Sequence, residues 1–325
     1  MGKLVTIGIP VYKRLNYLSH ILSVARAQDY PNIELLISDN GGGSAQIRNI
    51  VETHYDRPFR FRQNPSPVQI SAHFNQLIDH ATGEYFMLLA DDDEVSPNYV
   101  SELVGVLERY PEASVAMARQ EIIDETGRVT RQSKDNLPEL LSGAEFIRAA
   151  WHTYEYGYEC FATFLARTGD LKRCGGYPAF TRGTHNDDAL LIKLCLNGYI
   201  GFSQKCTFRW RVYESSHGWS IPIQDLADAS KEFLQFLDSD PRVTEFASQH
   251  SVEWKAIRSY LIRMTWQTYF WRWKTIYWTR LSRSEKVRWG LALPFIPAYY
   301  KNVASTLLEA SKAAVIGRMK SLLMC

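Results

Sequence analysis

The sequence predicts an α/β fold with parallel strands, followed by a helical C-terminal region. In the N-terminal part, apolar runs alternate with segments of helical periodicity, which is typical of a parallel α/β sheet. From Gln224 onward the alternation gives way to long helical patterns. Residues 1–250 hold 24 basic and 32 acidic side chains, whereas residues 251–325 hold 13 and 3. We therefore expect an α/β domain over residues 1–222 and a basic helical region over residues 223–325.

Three buried strands are predicted in the N-terminal part. Residues 4–9 form a β-branched apolar run that Pro10 closes. Residues 33–38 and 84–90 are two further apolar runs of strand length. The remaining predicted elements are strands at residues 59–62, 114–118 and 161–167, and helices at residues 15–27, 71–81 and 188–196.

Cysteine usage and hydropathy exclude several classes of protein. The five cysteines contain no C-x-x-C pair, so the sequence supports neither a disulfide framework nor a zinc site, and we expect a reducing compartment. The first apolar run is too short for the core of a signal peptide, and no stretch approaches the roughly 20 apolar residues of a spanning helix. These features predict a cytoplasmic protein.

Acidic residues follow two of the predicted strands. Asp39 ends the second strand, and the aspartates at positions 91–93 follow the third. Because ligands bind beyond the carboxyl ends of parallel strands, these side chains should share one edge of the sheet. Adjacent like charges repel, and Mg²⁺ or Mn²⁺ would neutralise them with carboxylate and phosphate oxygens as ligands. The alternative is a polar loop, or a cap for the helix beginning near Pro97.

Several ordered motifs resemble those of family 2 glycosyltransferases. V-T-I-G-I-P-V-Y-K-R (residues 5–14) and E-L-L-I-S-D-N-G (residues 34–41) are similar to the strands that open that family. A-T-G-E-Y, leading into L-A-D-D-D at residues 89–93, is similar to the segment around the family's D-x-D motif. The resemblance covers about residues 4–215. It implies the GT-A fold, a Rossmann-like mixed sheet flanked by helices, and an inverting glycosyltransferase.

The resemblance also implies roles in binding a nucleoside-diphosphate-sugar donor. Asp39 would hydrogen-bond the nucleotide base, and Asp91 would lie near the ribose. Asp92 would be the principal ligand of a Mn²⁺ or Mg²⁺ ion that bridges the diphosphate, with Asp93 beside it. Ala90 occupies the place of the family's usual first aspartate, so the division of roles among the three aspartates stays open. The donor nucleotide-binding set also includes Pro10, Tyr12 and Asn75.

A later segment resembles the family's E-D-x-D-L-x-x-R-L motif. G-G-Y-P is followed by H-N-D-D-A-L-L-I-K-L at residues 185–194, with Lys193 in the arginine position and Asn186 in the glutamate position. Asp187 then matches the catalytic aspartate, the general base that deprotonates the acceptor hydroxyl, and Asp188 is the second candidate. The alternative is that either residue only caps the helix.

The segment that follows argues against a processive enzyme. Gln204 and the R-W pair at 209–210 are separated by four residues, not by the two of the Q-x-x-R-W motif in processive polysaccharide synthases. Relatives carry R-x-H here, where the histidine approaches the metal. Tyr213 takes that position, which leaves His217 as a displaced candidate ligand or an ordinary loop residue. Residues 213–222, rich in Ser and Gly, are a candidate lid over bound donor.

The basic C-terminal region carries a stripe of large apolar side chains at helical spacing. One interpretation is packing on the catalytic domain, and another is docking on an anionic membrane surface, since Trp and Tyr suit the headgroup level and Arg and Lys attract anionic lipid. Oligomerisation is a third option, and nucleic-acid binding fits less well because no binding motif accompanies the charge. The stripe consists of Trp266, Tyr269, Phe270, Trp273, Ile276 and Tyr277.

Residues and resemblance together predict a metal-dependent, non-processive hexosyltransferase. It would add one sugar to a lipid-linked bacterial surface glycan at the cytoplasmic face of the membrane, by a single displacement. Two other classes stay open. One is a non-catalytic nucleotide-sugar-binding protein. The other is a nucleotidyltransferase, which shares the α/β sheet and acidic metal site but usually has a Gly-rich N-terminal loop that is missing after Ile9.

Overall fold

The computed structural model describes residues 2–13, 15–134, 136–152, 160–213 and 220–272, together with Ser282 and Ser284. The chain divides into two compact units, Met1–Tyr260 and Leu261–Cys325. The first unit contains the whole described sheet and is an α/β structure.

The sheet has ten strands within the described ranges. In chain order they are β1 (Val5–Val11), β2 (Ile33–Asp39), β3 (Phe59–Gln63), β4 (Tyr85–Leu88), β5 (Glu94–Val95), β6 (Ala113–Ile123), β7 (Val129–Gln132), β8 (Leu140–Ser142), β9 (Leu165–Arg167) and β10 (Tyr199–Arg211).

The helices that connect and follow these strands are mostly two to four turns long. They are α1 (Leu18–Arg26), α2 (Ser44–His54), α3 (Ile70–His80), α4 (Tyr99–Arg109), α5 (Gly143–His152), α6 (Thr168–Arg173), α7 (Asn186–Cys195), α8 (Ile223–Ser239), α9 (Pro241–Gln249) and α10 (Ser251–Arg272), with a short 3₁₀ turn at Thr181–Gly183.

The strand order is β3-β2-β1-β4-β9-β6-β10-β5, with β7 beside β6 and β8 beside β10. β1, β2, β3 and β4 run parallel to one another, as do β6 and β10. The short strand β9 is antiparallel to both β4 and β6, which it joins. The sheet is therefore mixed, and its parallel N-terminal half has the carboxyl ends of β1, β2 and β4 side by side.

Helices cover both faces of the central strand β1. Val5 and Ile7 are fully buried and share a core with apolar residues of α1, α2 and α4. On the other face, a Cβ added at Gly8 would meet the Leu77 Cβ of α3 at 3.5 Å. Because both faces are covered, the strand is apolar almost throughout, as expected of a parallel strand between two helical layers.

The sequence predicted most of this half of the molecule. The strands predicted at residues 4–9, 33–38 and 59–62 and the helix predicted at residues 71–81 are confirmed as β1, β2, β3 and α3, within two residues at each end. The strand predicted at residues 161–167 was too long, since only Leu165–Arg167 is a strand. Its antiparallel direction interrupts the parallel arrangement that the alternation of elements predicted.

The apolar stripe of the C-terminal region falls only partly within the described chain. Trp266, Tyr269 and Phe270 lie on α10, whereas Trp273, Ile276 and Tyr277 lie outside the described residues. Within the part that the structure describes, no helix combines the length and the hydrophobicity that crossing a membrane requires.

Gly83 is the position where a side chain would most directly disturb the parallel strands. A Cβ there would lie 2.7 Å from both the Leu4 carbonyl oxygen and the Thr6 nitrogen, and 2.8 Å from the Tyr85 carbonyl oxygen. These are backbone atoms of the paired strands and cannot move independently. We expect Gly83→Ala to lower the free energy of unfolding by about 1–3 kcal/mol in urea titrations.

Gly105→Ala is the matched control for this substitution. Gly105 lies within α4, and a Cβ there meets nothing within 4 Å. Alanine has the higher helix propensity, so this variant should be more stable than the wild type by about 0.5–1 kcal/mol. Equal effects of the two substitutions would contradict the strand packing described at Gly83.

Candidate active site

The predicted carboxylates, Asp39 and those at positions 91–93, lie along the carboxyl edge of the parallel strands, on either side of β1. Val11 at the end of β1 pairs with Asp39 at the end of β2, and the backbone N–H of Leu89 donates to the Gly8 carbonyl at 2.9 Å. β1 therefore lies between the two strands that lead to Asp39 and to the aspartates at 91–93. Pro10 lies on β1, and Tyr12 follows it with 39% of its surface exposed.

The carboxylate of Asp39 is fully buried and organises the turn that leads into α2. It accepts the backbone N–H of Gly42 at 2.8 Å and of Gly43 at 3.4 Å, and the hydroxyl of Ser44 at 2.5 Å. Gly41 and Gly43 have φ angles of 80° and 149°, which glycine adopts without strain. Asp39 is thus a structural anchor of this loop, and its predicted contact with a nucleotide base stays a prediction.

Burial and neighbouring charge set the protonation of the aspartate cluster. Asp91 and Asp93 are buried, at 6% and 3% exposure, and Asp92 is partly exposed. Burial, followed by the charge of Asp92, raises the pKa of Asp93 well above its usual value, even though its carboxylate accepts the Arg211 N–H at 3.0 Å. The cluster is therefore a place where added positive charge would be strongly favoured.

Arg211, the last residue of β10, supplies a positive charge to this loop from within the protein. Its side chain is 4% exposed, and its guanidinium donates to the Asp92 carbonyl at 2.9 Å, the Asp124 carbonyl at 3.0 Å and the Glu94 carboxylate at 2.5 Å. The guanidinium also lies over the ring of Tyr17, 5.0 Å from its centre. One buried cation thus fixes the backbone and the charge of the acidic loop.

Tyr213 reaches the aspartate that the resemblance assigns to the metal. Its hydroxyl donates to Oδ2 of Asp92 at 2.7 Å, and its ring lies 6.0 Å from that of Tyr17. His217, the other predicted ligand, lies outside the described residues, as do positions 214–219 of the predicted lid. Within the described ranges, no group of three or more His, Cys, Asp or Glu side chains is arranged to hold a metal ion.

Asp187 and Asp188 lie in the first turn of α7, as the sequence predicted for that segment. Burial, together with the neighbouring Asp188, raises the pKa of Asp187 to about 7. The carboxylate of Asp188 lies 3.1 Å from Nδ1 of His185. The residue at the N-cap of α7 is His185, and its side chain makes no capping hydrogen bond. Neither Asp187 nor Asp188 therefore caps this helix.

Cys160 indicates that the two acidic segments converge. Burial, followed by the charges of Asp93, Asp187 and Asp188, raises the pKa of its thiol well above the usual value. The charges of carboxylates from two segments, the loop after β4 and the start of α7, therefore act on this one thiol. Gln120 of β6 holds Cys160 in place, donating to its carbonyl at 2.6 Å and accepting its N–H at 3.1 Å.

Asn75 ties α3 to the glycine-rich segment before α7. Its amide donates to the Tyr177 carbonyl at 2.9 Å and accepts the Tyr177 N–H at 2.8 Å. Gly176 has a φ of 61°, and a Cβ there would lie 2.2 Å from the Asn75 oxygen. Lys193 donates to the Gly176 carbonyl at 2.6 Å. The observed contacts of Asn75 position this segment, and its predicted role with the donor nucleotide stays a prediction.

Several contributors to this site were missed by sequence reasoning. Arg211 lies 117 positions from Glu94, so no local pattern marks their contact. His185 lies only three positions before Asp188, but its contact with Ser230 spans 45 positions and leaves no local pattern either. Asn186 is 2% exposed, and neither its amide nitrogen nor its oxygen has a hydrogen-bond partner in the described chain. Its place in the family motif was the one available signal, since it stands where the family has glutamate.

Comparison with known proteins identifies the class of enzyme that shares these motifs. The family model described as Glycosyl transferase family 2 matches residues 6–175. An uncharacterized glycosyltransferase of Rickettsia conorii is 32% identical over 230 residues, which cover 64% of this chain and 37% of that protein. The putative glycosyltransferase EpsE of Bacillus subtilis is 23% identical over 208 residues, covering 62% of this chain and 70% of the relative.

A further relative has a stated sugar specificity. The abequosyltransferase RfbV of Salmonella typhimurium is 27% identical over 109 residues, covering 32% of this chain and 33% of that enzyme. The chain thus aligns with only about a third of the Salmonella enzyme and with little more of the Rickettsia protein.

Solved structures confirm the predicted GT-A fold. S. aureus TarS, residues 1–349 in complex with UDP-GlcNAc, superposes with a TM-score of 0.63 at 16% identity, covering 91% of this chain and 81% of that one. The mannosyltransferase PcManGT of Pyrobaculum calidifontis, in complex with GDP-Man and Mn²⁺, gives a TM-score of 0.54 at 14% identity, with 96% and 87% coverage. At these identities the likeness establishes the shared fold.

Arg211 offers a direct test of how the acidic loop is held. Arg211→Leu removes a buried cation and leaves three backbone carbonyls without the guanidinium that donates to them, while Glu94 keeps its contacts with His20 and Arg209. We expect the free energy of unfolding to fall by about 3–5 kcal/mol, measured by urea titration. Arg211→Lys should restore only part of it, because an ammonium cannot reproduce the planar fork of donors.

Arg128→Ala is the control, because that guanidinium pairs with Asp124 while 80% of its side chain is exposed. Exposed pairs contribute little, so the stability of this variant should lie within about 1 kcal/mol of the wild type. A wild-type stability for Arg211→Leu would show that the loop is held by other contacts.

Proposed function

This chain belongs to glycosyltransferase family 2, and on that basis we propose that it transfers one hexose from a nucleoside-diphosphate sugar to a hydroxyl group, with inversion. The donor class is supported by the solved structures that share the fold, which hold UDP-GlcNAc and GDP-Man. The acceptor that we infer is a glycan, carried on a lipid, of a bacterial cell surface.

The observation that carries the proposal is the state of Asp187. Its pKa of about 7, raised by burial and by Asp188, makes it a base that is partly ionised at neutral pH. A general base works best when its pKa lies near the working pH. The charges of Asp187 and Asp93 both raise the pKa of the Cys160 thiol. This supports a single site in which the base and the donor-binding loop face the same substrate.

The proposed chemistry is a single displacement. Asp187 takes the proton of the acceptor hydroxyl while that oxygen attacks the anomeric carbon of the donor sugar. The bond between the anomeric carbon and the diphosphate oxygen breaks, and the nucleoside diphosphate leaves with the electron pair. The sugar passes through an oxocarbenium-like state and its anomeric configuration inverts. Asp188 is the second candidate base, and its contact with His185 favours a supporting role.

The acidic edge of the sheet is the proposed donor site. We infer that Pro10, Tyr12, Asp39, Asn75 and Asp91 contact the nucleotide. Of these, Tyr12 has the surface that such a contact needs, being 39% exposed at the end of β1. Asp39 and Asn75 act in part through the loops that they hold, since their polar atoms bond the turn before α2 and the backbone of Tyr177.

Asp92 and Asp93 fit a divalent cation, with His217 as a further candidate ligand. Carboxylate oxygens suit Mn²⁺ and Mg²⁺, which in such sites complete their shells with substrate phosphates instead of an all-protein cage. The raised pKa of Asp93 reflects crowded negative charge that a cation would relieve. When bound, the metal would supply positive charge to the departing diphosphate.

Two rival functions are less well supported. A nucleotidyltransferase would use the acidic loop but has no need of a second carboxylate poised as a base for an acceptor hydroxyl. A non-catalytic nucleotide-sugar-binding protein would gain nothing from a carboxyl group whose burial raises its pKa to about 7, a cost that folding must bear.

Removing the base is the first test of this function. In the wild type, kcat/KM for release of nucleoside diphosphate from UDP- and GDP-hexoses, with Mn²⁺ and water as acceptor, should rise with pH up to about 7 and then level off, because protonated Asp187 cannot accept a proton. Asp187→Asn should lower kcat by about 10²–10⁴-fold and abolish that rise.

Donor binding is the control for this variant. Thermal stabilisation by the same nucleotide sugars should be the same in Asp187→Asn and in the wild type, since the amide keeps the volume of the side chain. Release of pyrophosphate, or equal turnover by both proteins, would contradict the proposal.

For the C-terminal region we propose docking on the anionic inner face of a cell membrane. The sequence supports this through its excess of basic residues, 13 against 3 acidic at positions 251–325. A cytoplasmic, peripheral location is the corresponding expectation, and self-association is the alternative use of this region.

Charge removal in the full chain tests the docking. Replacing Lys274, Arg280, Arg283, Lys286 and Arg288 with glutamine should abolish co-sedimentation with phosphatidylserine-containing vesicles, because each basic residue near such a surface contributes about 1 kcal/mol. Vesicles of phosphatidylcholine alone, which carry no net charge, are the control. Undiminished binding of the variant to the anionic vesicles would show that charge in this region does not mediate docking.

A further inference from the structure

The loop that leads into α7 is held by one face of α8. Thr181 donates to the Glu232 carboxylate through its N–H at 2.6 Å and its hydroxyl at 2.8 Å. Phe180 packs edge-on against Phe233 and Phe236, with ring centres 6.3 Å and 6.0 Å apart. These contacts anchor the start of the loop, six to seven residues before Asp187.

The far end of the loop is anchored through the ring of His185. The imidazole stacks on Phe233 at 4.9 Å between ring centres, with 21° between the planes. Its Nε2 lies 3.3 Å from the Ser230 hydroxyl oxygen, and its Nδ1 lies 3.1 Å from the Asp188 carboxylate. The ring of His185 therefore has contacts on one face and at both nitrogens.

The hydrogen bonds of Ser230 determine how the imidazole ring of His185 is oriented. The Ser230 hydroxyl donates to the Leu226 carbonyl at 2.8 Å, so its oxygen is left to accept the Nε2–H of His185, and a second proton, on Nδ1 or on the Asp188 carboxyl group, completes the hydrogen bond at the other nitrogen. Ser230 itself is fully buried, which leaves water no access to that bond. The orientation of the ring is thus set by α8, and Nδ1 is turned toward Asp188.

The backbone at His185 is one that a histidine seldom adopts. Its φ is 64°, and Arg182 and Gly183 have φ angles of 55° and 71°. Non-glycine residues persist in this region when their surroundings determine the conformation. His185 makes no side-chain capping bond to α7 that could hold its backbone in this conformation. The contacts that hold it are therefore those with α8.

We propose that His185 is a positioning residue, through which α8 holds Asp188 and the first turn of α7 so that Asp187 meets the acceptor hydroxyl. The inference rests on the proposed function of Asp187. It assigns to α8, which follows the glycosyltransferase motifs in sequence, a part in the geometry of the reaction. Asp188 then serves as the link between the ring and the base.

The test compares three variants of the full-length chain. His185→Gly removes the ring but accepts the left-handed backbone without strain, and His185→Asn keeps a hydrogen-bonding group near the position of Nδ1 with a residue that tolerates this conformation. Arg182→Gly is the matched control, since it alters the same strained loop at a side chain that is 57% exposed and pairs with Asp225 instead of contacting Asp188.

We expect His185→Gly to lower kcat for nucleoside diphosphate release from UDP- and GDP-hexoses by about tenfold to a hundredfold, with KM for the donor changed by less than about twofold. His185→Asn should recover part of that loss, and Arg182→Gly should keep the wild-type kcat. A merely structural role would instead raise KM or lower kcat equally in both glycine variants, which would overturn the inference.

Hydrogen exchange of the peptide that contains the first turn of α7 gives a readout independent of activity. Exchange should be faster in His185→Gly and unchanged in Arg182→Gly. Unchanged exchange in His185→Gly would overturn the inference whatever the activity. A wild type that consumes no nucleotide sugar, with faster exchange in His185→Gly, would support the positioning of α7 by His185 and overturn the proposed function instead.

Discussion

The structure of the candidate site depends on how negative charge is accommodated at one edge of the sheet. Asp91, Asp92, Asp93 and Glu94 follow one another after β4, and a buried carboxylate is costly unless it is paired. Arg211 neutralises part of this charge from the end of β10, contacting Glu94 and the backbone of Asp92. Because the last residue of β10 is fixed there, Tyr213 is brought to Asp92. Arg211 thus contributes to both the backbone geometry of this loop and its charge, together with His20 and Arg209, which also pair with Glu94.

The same edge holds carboxyl groups in different states, which gives them different uses. Asp39 is satisfied by two backbone N–H groups and a hydroxyl, so it stabilises a turn. Asp187 is shielded from water and lies beside the like charge of Asp188. Its pKa therefore rises to about 7, and it can exchange protons at neutral pH. Environment, not residue type, separates the structural anchor from the proposed base, as in enzymes whose paired carboxyl groups differ in pKa.

The sequence predicted the elements that depend on local patterns and missed the contacts between residues far apart in the chain. β1 and β2 were predictable because burial on both faces leaves a continuous apolar run, and α3 because burial on one face leaves helical periodicity. The strand β9 was mispredicted in length because its pairing with β4 and β6 depends on residues some fifty to eighty positions away. Arg211 could not be recognised for the same reason, since its partner Glu94 is 117 positions distant. Charge pairing of this kind leaves no periodic trace.

Backbone strain gives an independent reason to place function at this edge. In the described part of the chain, the non-glycine residues with positive φ are Lys13, Arg182 and His185. Lys13 follows β1 beside the loop of Asp39, where a Cβ on Gly42 would lie 3.0 Å from the Lys13 nitrogen, and the other two precede α7. Each such conformation costs about 1–3 kcal/mol. These residues lie beside the Asp39 loop and before α7, so the strain falls next to the two segments in which the proposed function places donor binding and the base.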